Sequence, residues 1–239
     1  MSKIVVVKAG STFPELAAQQ GDFEAWIVAG LGLDRDRVAV VAVCEGEALP
    51  ACDSLAGAVV SGSHTSVADR EPWSEVLAQW LAGAVECGLP LLGICYGHQL
   101  LAYALGGEVR ENPRGLEFGT VPIHLTVEAA ADPLFGGLPA TFPAQVCHSQ
   151  TVVRLPAGAR RLAWSERDAV QAFAVGRQAW GVQFHPEFDE AAVRYYIGAF
   201  RDSLVEQGDV PVTLAASCGA TPEAGGLLKR FATLVQSSG

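Results

Sequence analysis

In the stretch Leu91-Leu92-Gly93-Ile94-Cys95-Tyr96-Gly97-His98-Gln99, a cysteine stands between two glycines. The apolar run over 90–94 predicts a buried strand, and 96–105 predicts a helix that Gly106-Gly107 would end. Cys95 therefore falls in the sharp turn between a strand and a helix. Glycines two residues away on either side avoid clashes in such a turn. This frame is a nucleophile elbow, which is used in hydrolysis and acyl transfer.

The predicted position of Cys95 favours chemistry at its thiol. It would lie above the carboxyl end of a parallel sheet, where open α/β folds bind ligands. The start of the following helix favours a thiolate, and the N–H of Tyr96 can point toward an oxyanion. The other cysteines have no such frame and form no CxxC pair, so we expect reduced thiols in a cytoplasmic protein. They are Cys44, Cys52, Cys87, Cys147 and Cys218.

The hydrophobic patterns predict an α/β fold: an open, mostly parallel sheet flanked by helices, with an antiparallel extension. Predicted strands cover 3–7, 38–43, 58–61 and 90–94, and predicted helices cover 23–30, 75–86 and 96–105. Short antiparallel strands of the same sheet are expected at 121–127, 145–148, 151–155, 161–164, 170–175 and 179–184. A helix over 189–207, a loop over 208–226 and a closing helix over 227–235 follow. We expect one domain over 1–239, with a core at about 3–205 and a C-terminal loop and helix at 208–239.

The charge pattern excludes two classes of partner. The chain has 239 residues and a formal net charge of −10, and its basic residues are scattered. Without a basic stripe, neither nucleic acid nor an anionic membrane surface is an expected partner. The apolar run after Lys3 ends at Lys8, too short for a secretory signal, and no apolar stretch reaches membrane-spanning length.

A cysteine nucleophile needs a base and a group that orients the base. His185 ends an apolar strand in Phe184-His185-Pro186-Glu187, where the carboxylate of Glu187 can turn toward the imidazole. His64 and His148 lie in loops that could line the same cleft, and both are secondary candidates. His98 and His124 are expected to be structural. The histidines lack metal-ligand spacing, so neither a metal nor another cofactor is expected.

These segments resemble the class I (triad) glutamine amidotransferases. The matching pieces are 93–99 around Cys95, His185-Pro186-Glu187, Val59-Val60-Ser61-Gly62-Ser63-His64, and Cys147-His148-Ser149-Gln150. Their order and spacing over about 4–200 are similar to the amidotransferase portion of GMP synthases and its free-standing relatives. The resemblance implies a flavodoxin-like fold. Ser63-His64 replaces the family's Gly-Pro, and Ser149-Gln150 replaces the Gly-Asp pair of GMP synthases.

The resemblance implies a role for each matched residue. Cys95 would attack the carboxamide of glutamine to form a γ-glutamyl thioester, His185 would move protons, and Glu187 would orient His185. Backbone N–H groups of Gly62, Ser63 and Tyr96 would hold the oxyanion. The substrate would be seated by Gln99, His148 and Ser149.

Three functions remain open on the sequence. A glutaminase could pass ammonia to a synthetase on a separate chain, because no glycine-rich pyrophosphate loop and no synthetase domain follow in these 239 residues. A hydrolase of γ-glutamyl conjugates would use the same triad. A non-catalytic binding module on the same fold would not need Cys95.

Overall fold

A central sheet with helices on both faces forms the body of the protein. The computed structural model describes residues 2–237. The strands in this range are β1 (Lys3–Lys8), β2 (Val38–Ala42), β3 (Leu55–Val60), β4 (Leu91–Ile94), β5 (Glu108–Glu111), β6 (Glu117–Leu125), β7 (Thr141–His148), β8 (Gln150–Arg154), β9 (Arg160–Trp164), β10 (Ala172–Val175) and β11 (Ala179–Val182). The helices in it are α1 (Pro14–Gln20), α2 (Phe23–Leu31), α3 (Pro72–Glu86), α4 (Tyr96–Ala104), α5 (Glu190–Ala199), α6 (Arg201–Glu206), α7 (Pro211–Ser217) and α8 (Pro222–Ser237).

The main sheet has a parallel half and an antiparallel half. Among the described residues its strand order is β2-β1-β3-β4-β11-β10-β9-β6-β7. The first five strands are parallel, with Val6 opposite both Val40 and Val59. The strands from β10 to β7 are antiparallel to their neighbours. The parallel order is that of flavodoxin-like sheets. The predicted α/β fold with an antiparallel extension is thereby confirmed.

Burial of both sheet faces explains why β1 is an almost continuous aliphatic run. Ile4 and Val6 point into a core shared with α2 and α8. Val5 and Val7 point to the opposite face, into a core shared with α3 and α4. Full burial of one such side chain contributes about 1.5–3 kcal/mol, so the two cores hold the parallel strands rigidly in register. This rigid edge carries the site described below.

Two strand predictions were wrong in their pairing. The segment predicted as an antiparallel strand at 179–184 forms β11, which lies parallel to β4 in the centre of the sheet. The segment predicted at 151–155 forms β8, which pairs with β5 in a separate ribbon rather than in the main sheet. Hydrophobic spacing indicates that a segment is a strand, but it does not indicate which strand it pairs with. Both errors concern the pairing partner.

The C-terminal region is more helical than its composition predicts. The predicted helix over 189–207 is two helices, α5 and α6, because Phe200 leaves helical geometry with φ −99° and ψ 19°. The prediction of a loop over 208–226 was wrong, since this segment contains α7 and the first turn of α8. Pro211 and Pro222 each occupy a first helical position, where proline is favoured because that N–H has no helical partner.

The helices and strands do not test the domain prediction. The organisation of 1–239 as one domain, with a core at about 3–205 and a C-terminal part at 208–239, stays a prediction. Residues 1, 238 and 239 lie outside the described residues. From residue 2 to residue 237, no helix combines the length and the apolar character needed to cross a bilayer.

Candidate active site

Cys95 occupies a strained turn between β4 and α4. Its φ of 51° and ψ of −101° lie in a region that non-glycine residues rarely adopt. The backbone N–H of Cys95 donates to the carbonyl of Val182 at 2.8 Å, which ties the turn to the neighbouring strand β11. Surrounding structure therefore holds the strain, and the thiol projects from the carboxyl edge of the sheet as the sequence predicts.

The two glycines that frame Cys95 are required by close backbone packing. A Cβ atom on Gly93 would lie 2.4 Å from the carbonyl oxygen of Gly97. A Cβ atom on Gly97 would lie 2.6 Å from the carbonyl oxygen of Val60 on β3. Backbone atoms have little freedom to move away, so α4 can start this close to the sheet only with glycine at both positions.

His185 and Glu187 form a buried pair beside Cys95. The Nδ1 atom of His185 lies 2.8 Å from Oε1 of Glu187, and the two side chains are 4% and 0% exposed. The imidazole stacks on Phe188 with ring centroids 4.0 Å apart. The backbone N–H of His185 donates to the carbonyl of Gln145 on β7 at 2.8 Å. Both the position and the rotation of the imidazole are therefore fixed.

The electrostatics of this pair favour a charged imidazole. Burial alone lowers the pKa of His185, but the charges of Glu187 and Cys95 and hydrogen bonds to both outweigh it and raise the pKa to about 10. The imidazolium that forms when His185 takes the thiol proton of Cys95 is therefore strongly stabilised. The side chains of Cys95 and His185 interact directly, so a proton can pass between them.

The residues predicted to supply oxyanion donors are neighbours of Cys95. A Cβ atom on Gly62 would lie 3.3 Å from Cε1 of His185 and 3.8 Å from Cβ of Cys95, so its backbone packs against both. Ser63 lines the cleft above Cys95. Tyr96 is the first residue of α4, a position whose N–H has no partner within a helix. Its hydroxyl points away from the cleft to the Oγ atom of Ser74, 2.5 Å away.

One cleft brings most of the predicted site residues together. Its walls include Cys95, His185, Ser63 and the three residues predicted to bind substrate, Gln99, His148 and Ser149. Glu187 stands behind His185 rather than in the cleft wall. The cavity volume is about 170 Å³. The lining also includes three apolar residues, Leu116, Phe118 and Phe200, called the apolar wall below.

His148 belongs to a buried ionic network that the sequence does not reveal. Its Nε2 lies 3.0 Å from Oε2 of Glu117, and its Nδ1 lies 2.9 Å from the carbonyl oxygen of Gln150. Because both neighbours accept hydrogen bonds, both ring nitrogens act as donors and the ring is charged. Burial lowers the pKa of His148, but Glu117 and Asp168 outweigh burial and raise it. His148 thus anchors the loop that contains Ser149.

The remaining histidines have structural surroundings. Burial lowers the pKa of His98 to about 3, and its neutral ring packs on Phe173 with centroids 4.9 Å apart. His124 stacks on Trp164 with ring centroids 4.4 Å apart. His64 lines the cleft, and its Nε2 lies 2.9 Å from the hydroxyl of Tyr196. Burial and nearby His185 lower the pKa of His64, so it is neutral.

Sequence reasoning missed one residue that contacts the sulfur. Gln183 directly follows β11 and is fully buried, and its Nε2 donates to Sγ of Cys95 at 3.4 Å. A glutamine inside an otherwise apolar run was the available signal, because a buried amide needs partners. Over residues 2–237, no group of three or more His, Cys, Asp or Glu residues is placed to hold a metal ion.

Comparison with known proteins gives the family of the chain. The family model for "Glutamine amidotransferase class-I" matches residues 35–195. The chain belongs to the class-I glutamine amidotransferase family, and glutamine hydrolysis is supported at the level of that family.

The relatives with similar sequences match only part of this chain, and this chain matches only part of each relative. The chain is 39% identical over 142 residues to a glutamine-hydrolyzing GMP synthase of Aeropyrum pernix, and 42% identical over 132 residues to one of Thermomicrobium roseum. These matches cover 59% and 55% of this chain but 25% and 23% of the relatives. A solved glutamine amidotransferase of Thermotoga maritima shares the fold, with TM-score 0.74, 21% identity and 98% of each chain covered.

Proposed function

We propose that the protein hydrolyses the side-chain amide of glutamine through a γ-glutamyl thioester on Cys95. The observation that supports this most strongly is the strained Cys95 beside an imidazole whose far nitrogen lies 2.8 Å from Glu187. A nucleophile, a base and an orienting carboxylate in contact are the arrangement that covalent amide hydrolysis requires. Family membership supports glutamine as the amide.

The first half of the proposed reaction forms the thioester. The thiol proton of Cys95 passes to His185, and the sulfur attacks the carboxamide carbon. The resulting oxyanion is held by the N–H groups of Gly62, Ser63 and Tyr96, a contribution of roughly 3–4 kcal/mol per donor. Collapse of this intermediate breaks the C–N bond. His185, which now holds the thiol proton, gives that proton to the leaving nitrogen, and ammonia is released.

The second half regenerates the thiol. Water replaces ammonia beside His185, which takes one proton from it as the water oxygen attacks the thioester carbon. The C–S bond then breaks, glutamate forms, and His185 returns the proton to Cys95. Glu187 stabilises the imidazolium in both halves without itself taking the proton.

The released nitrogen would pass to an acceptor enzyme on another chain. The chain spans about a quarter of the length of the glutamine-hydrolyzing GMP synthases that it matches. Because these relatives are named as synthases that hydrolyse glutamine, a synthetase that accepts ammonia at the mouth of the cleft is the proposed partner. The residues proposed to seat glutamine are Gln99, His148 and Ser149.

A second candidate function follows from the apolar wall of the cleft. Leu116, Phe118 and Phe200 line the cleft, and the rings of Phe118 and Phe200 pack with centroids 5.1 Å apart. An apolar surface there would favour a γ-glutamyl conjugate whose leaving amine is larger and less polar than ammonia. The triad would act in the same way on either substrate.

Product release from a substrate panel tests these proposals. The purified chain is incubated with glutamine and with γ-glutamyl amides of increasing apolar size, and both glutamate and the released amine are measured. Cys95→Ala is the inactive variant, and Cys218→Ala is the matched control because Cys218 is also a buried free thiol.

The panel separates the candidates by outcome. Glutamine hydrolysis that needs Cys95 supports the main proposal, and faster release of bulky amines that needs Cys95 supports the second. Release from no compound would overturn both in favour of a binding module. Equal release by the wild type and Cys95→Ala would overturn both because Cys95 would then not be the nucleophile.

A further inference from the structure

Gln183 is held against the sulfur of Cys95 from within the sheet. It lies two residues before His185, is fully buried, and places Nε2 3.4 Å from Sγ. Its Oε1 accepts a hydrogen bond from Nε2 of Gln99 at 2.9 Å. Two side chains of the same segment, Gln183 and His185, therefore contact the side chain of Cys95.

The orientation of the Gln183 amide follows from its neighbours. Gln99 also approaches the backbone carbonyl oxygen of Gln150, at 3.3 Å. A carbonyl oxygen only accepts, so the atom of Gln99 that faces it must be the NH₂ nitrogen. The same nitrogen faces Gln183, whose nearer atom must then be oxygen. The NH₂ group of Gln183 is thus directed at Cys95. A flipped amide would place two NH₂ groups against each other and an oxygen against the sulfur.

We propose that Gln183 is a further catalytic residue, whose amide N–H binds the sulfur of Cys95. With that donor on one side, the thiol proton is directed toward His185; the carbonyl oxygen of Cys147 lies 3.9 Å from the sulfur, a looser contact. When the proton leaves, the N–H faces a negative sulfur in a nearly dry site, where a hydrogen bond to charge is strongest. The same bond assists departure of the thiolate when water breaks the thioester.

This role rests on the proposed function, in which Cys95 is the nucleophile. The test therefore measures the sulfur itself: the rate at which iodoacetamide alkylates Cys95, followed by mass spectrometry of the peptide that contains it. Turnover of any substrate is not needed, so a failure of the proposed reaction and a failure of this role give different results.

The test variant is Gln183→Met, which keeps the length of the side chain and removes the donor. Alkylation of Cys95 at neutral pH should slow by at least about tenfold, the effect of losing one hydrogen bond to a charged group. The pH at which alkylation reaches half its maximal rate should rise. Substitution leaves the other titratable groups that interact with Cys95 in place. They are His185 and its partner Glu187, His148, Cys147 and Tyr196.

The matched control is Gln207→Met. The side-chain amide of Gln207 is also bonded within the protein, but to the backbone of Leu116 and the carboxylate of Asp209 instead of the sulfur. Its alkylation rate should equal that of the wild type. Circular dichroism and thermal unfolding establish that each variant is folded.

Gln183→Glu provides a second variant of nearly identical shape. A carboxylate beside the sulfur would repel the thiolate. Above the pH range in which carboxyl groups ionise, Cys95 in Gln183→Glu should therefore be alkylated more slowly than Cys95 in Gln183→Met. If folded Gln183→Met and Gln183→Glu both alkylate at the wild-type rate across the pH range, Gln183 is only a structural residue and the proposal is wrong.

Discussion

Oε1 of Glu187 lies 2.8 Å from Nδ1 of His185, and neither side chain has appreciable contact with solvent. Replacing this carboxylate with a carboxamide would leave a neutral group that no longer stabilises the imidazolium and can favour the wrong tautomer. We expect Glu187→Gln to lower kcat for glutamine hydrolysis by roughly 10²- to 10⁴-fold, as in other triads. Steady-state kinetics measure this, with Glu190→Gln, in an exposed pair with Arg194, as a control that stays near wild type.

The same pair predicts a dependence of stability on pH. The pKa of folded His185, about 10, exceeds that of an unfolded histidine, so the pair stabilises the fold fully below about pH 6.5. That contribution is lost as the pH rises toward 10. The difference in unfolding free energy between the wild type and Glu187→Gln should therefore be largest below pH 6.5 and shrink at alkaline pH. Urea unfolding at several pH values measures it, and a difference that grows with pH would refute the assignment.

Glycine should be better tolerated than alanine at Cys95. The backbone there has φ 51°, which strains any residue with a Cβ atom. Cys95→Gly is expected to be more stable than Cys95→Ala by about 1 kcal/mol. Cys218 has an ordinary φ of −66° and supplies the comparison, because the order of the same two substitutions should be reversed there. Urea unfolding of the four variants checks this, and equal ordering at both sites would contradict the strain.

Small changes at the glycines of the elbow should have large effects. Gly97→Ala places a Cβ atom 2.6 Å from the backbone carbonyl of Val60, a contact that only backbone movement relieves. We expect a loss of roughly 1–3 kcal/mol and displacement of Cys95. Gly83→Ala is the control: it lies within α3 with no neighbour in the path of a Cβ, and should stabilise by about 0.5–1 kcal/mol. Thermal unfolding measures both, and a neutral Gly97→Ala would contradict the packing.

The buried pair of Glu117 and His148 should be essential to the loop that contains Ser149. Burial raises the pKa of Glu117, but hydrogen bonds from His148 and Ser165 outweigh it and lower the pKa; the pKa of His148 is raised. Removing one partner of a buried ion pair costs about 3–5 kcal/mol, so Glu117→Gln should be destabilised by up to that amount. Glu108→Gln, in a partly exposed pair with Arg110, should change stability by less than about 1 kcal/mol.

The directions of the pKa shifts of Glu117 and His148 set the pH range over which Glu117→Gln lowers stability. A lowered carboxyl pKa stabilises the fold above about pH 4.3, and a raised histidine pKa stabilises it below about pH 6.5. The destabilisation of Glu117→Gln should therefore be greatest between these values and decline on either side. Chemical unfolding across this range measures it, and an effect independent of pH would show that the pair is not ionised.

The sequence predicts the elbow and the His-Pro-Glu segment well because each depends on local constraints. The glycines around Cys95 permit a tight turn and the proline after His185 fixes the backbone. Both can therefore be interpreted without knowledge of the fold. The parallel half of the sheet follows in the same way from aliphatic strands buried on both faces.

Other features depend on which segments become neighbours. β11 lies beside β4, and that pairing brings His185 and Gln183 to Cys95; nothing local in 179–185 indicates it. The partner of His148, Glu117, is 31 residues away in sequence and on a different strand. The helix α7 was missed because small residues resemble a loop in composition, although alanine is a strong helix former.

The central claim is a covalent γ-glutamyl intermediate on Cys95, and rapid acid quenching during glutamine turnover tests it most directly. Mass spectrometry of the quenched protein should find one γ-glutamyl group on the peptide that contains Cys95. This group should be absent from Cys95→Ala and should accumulate when turnover of the thioester is slowed. Ammonia release that persists in Cys95→Ala, with no adduct on Cys95 in the wild type, would contradict the account.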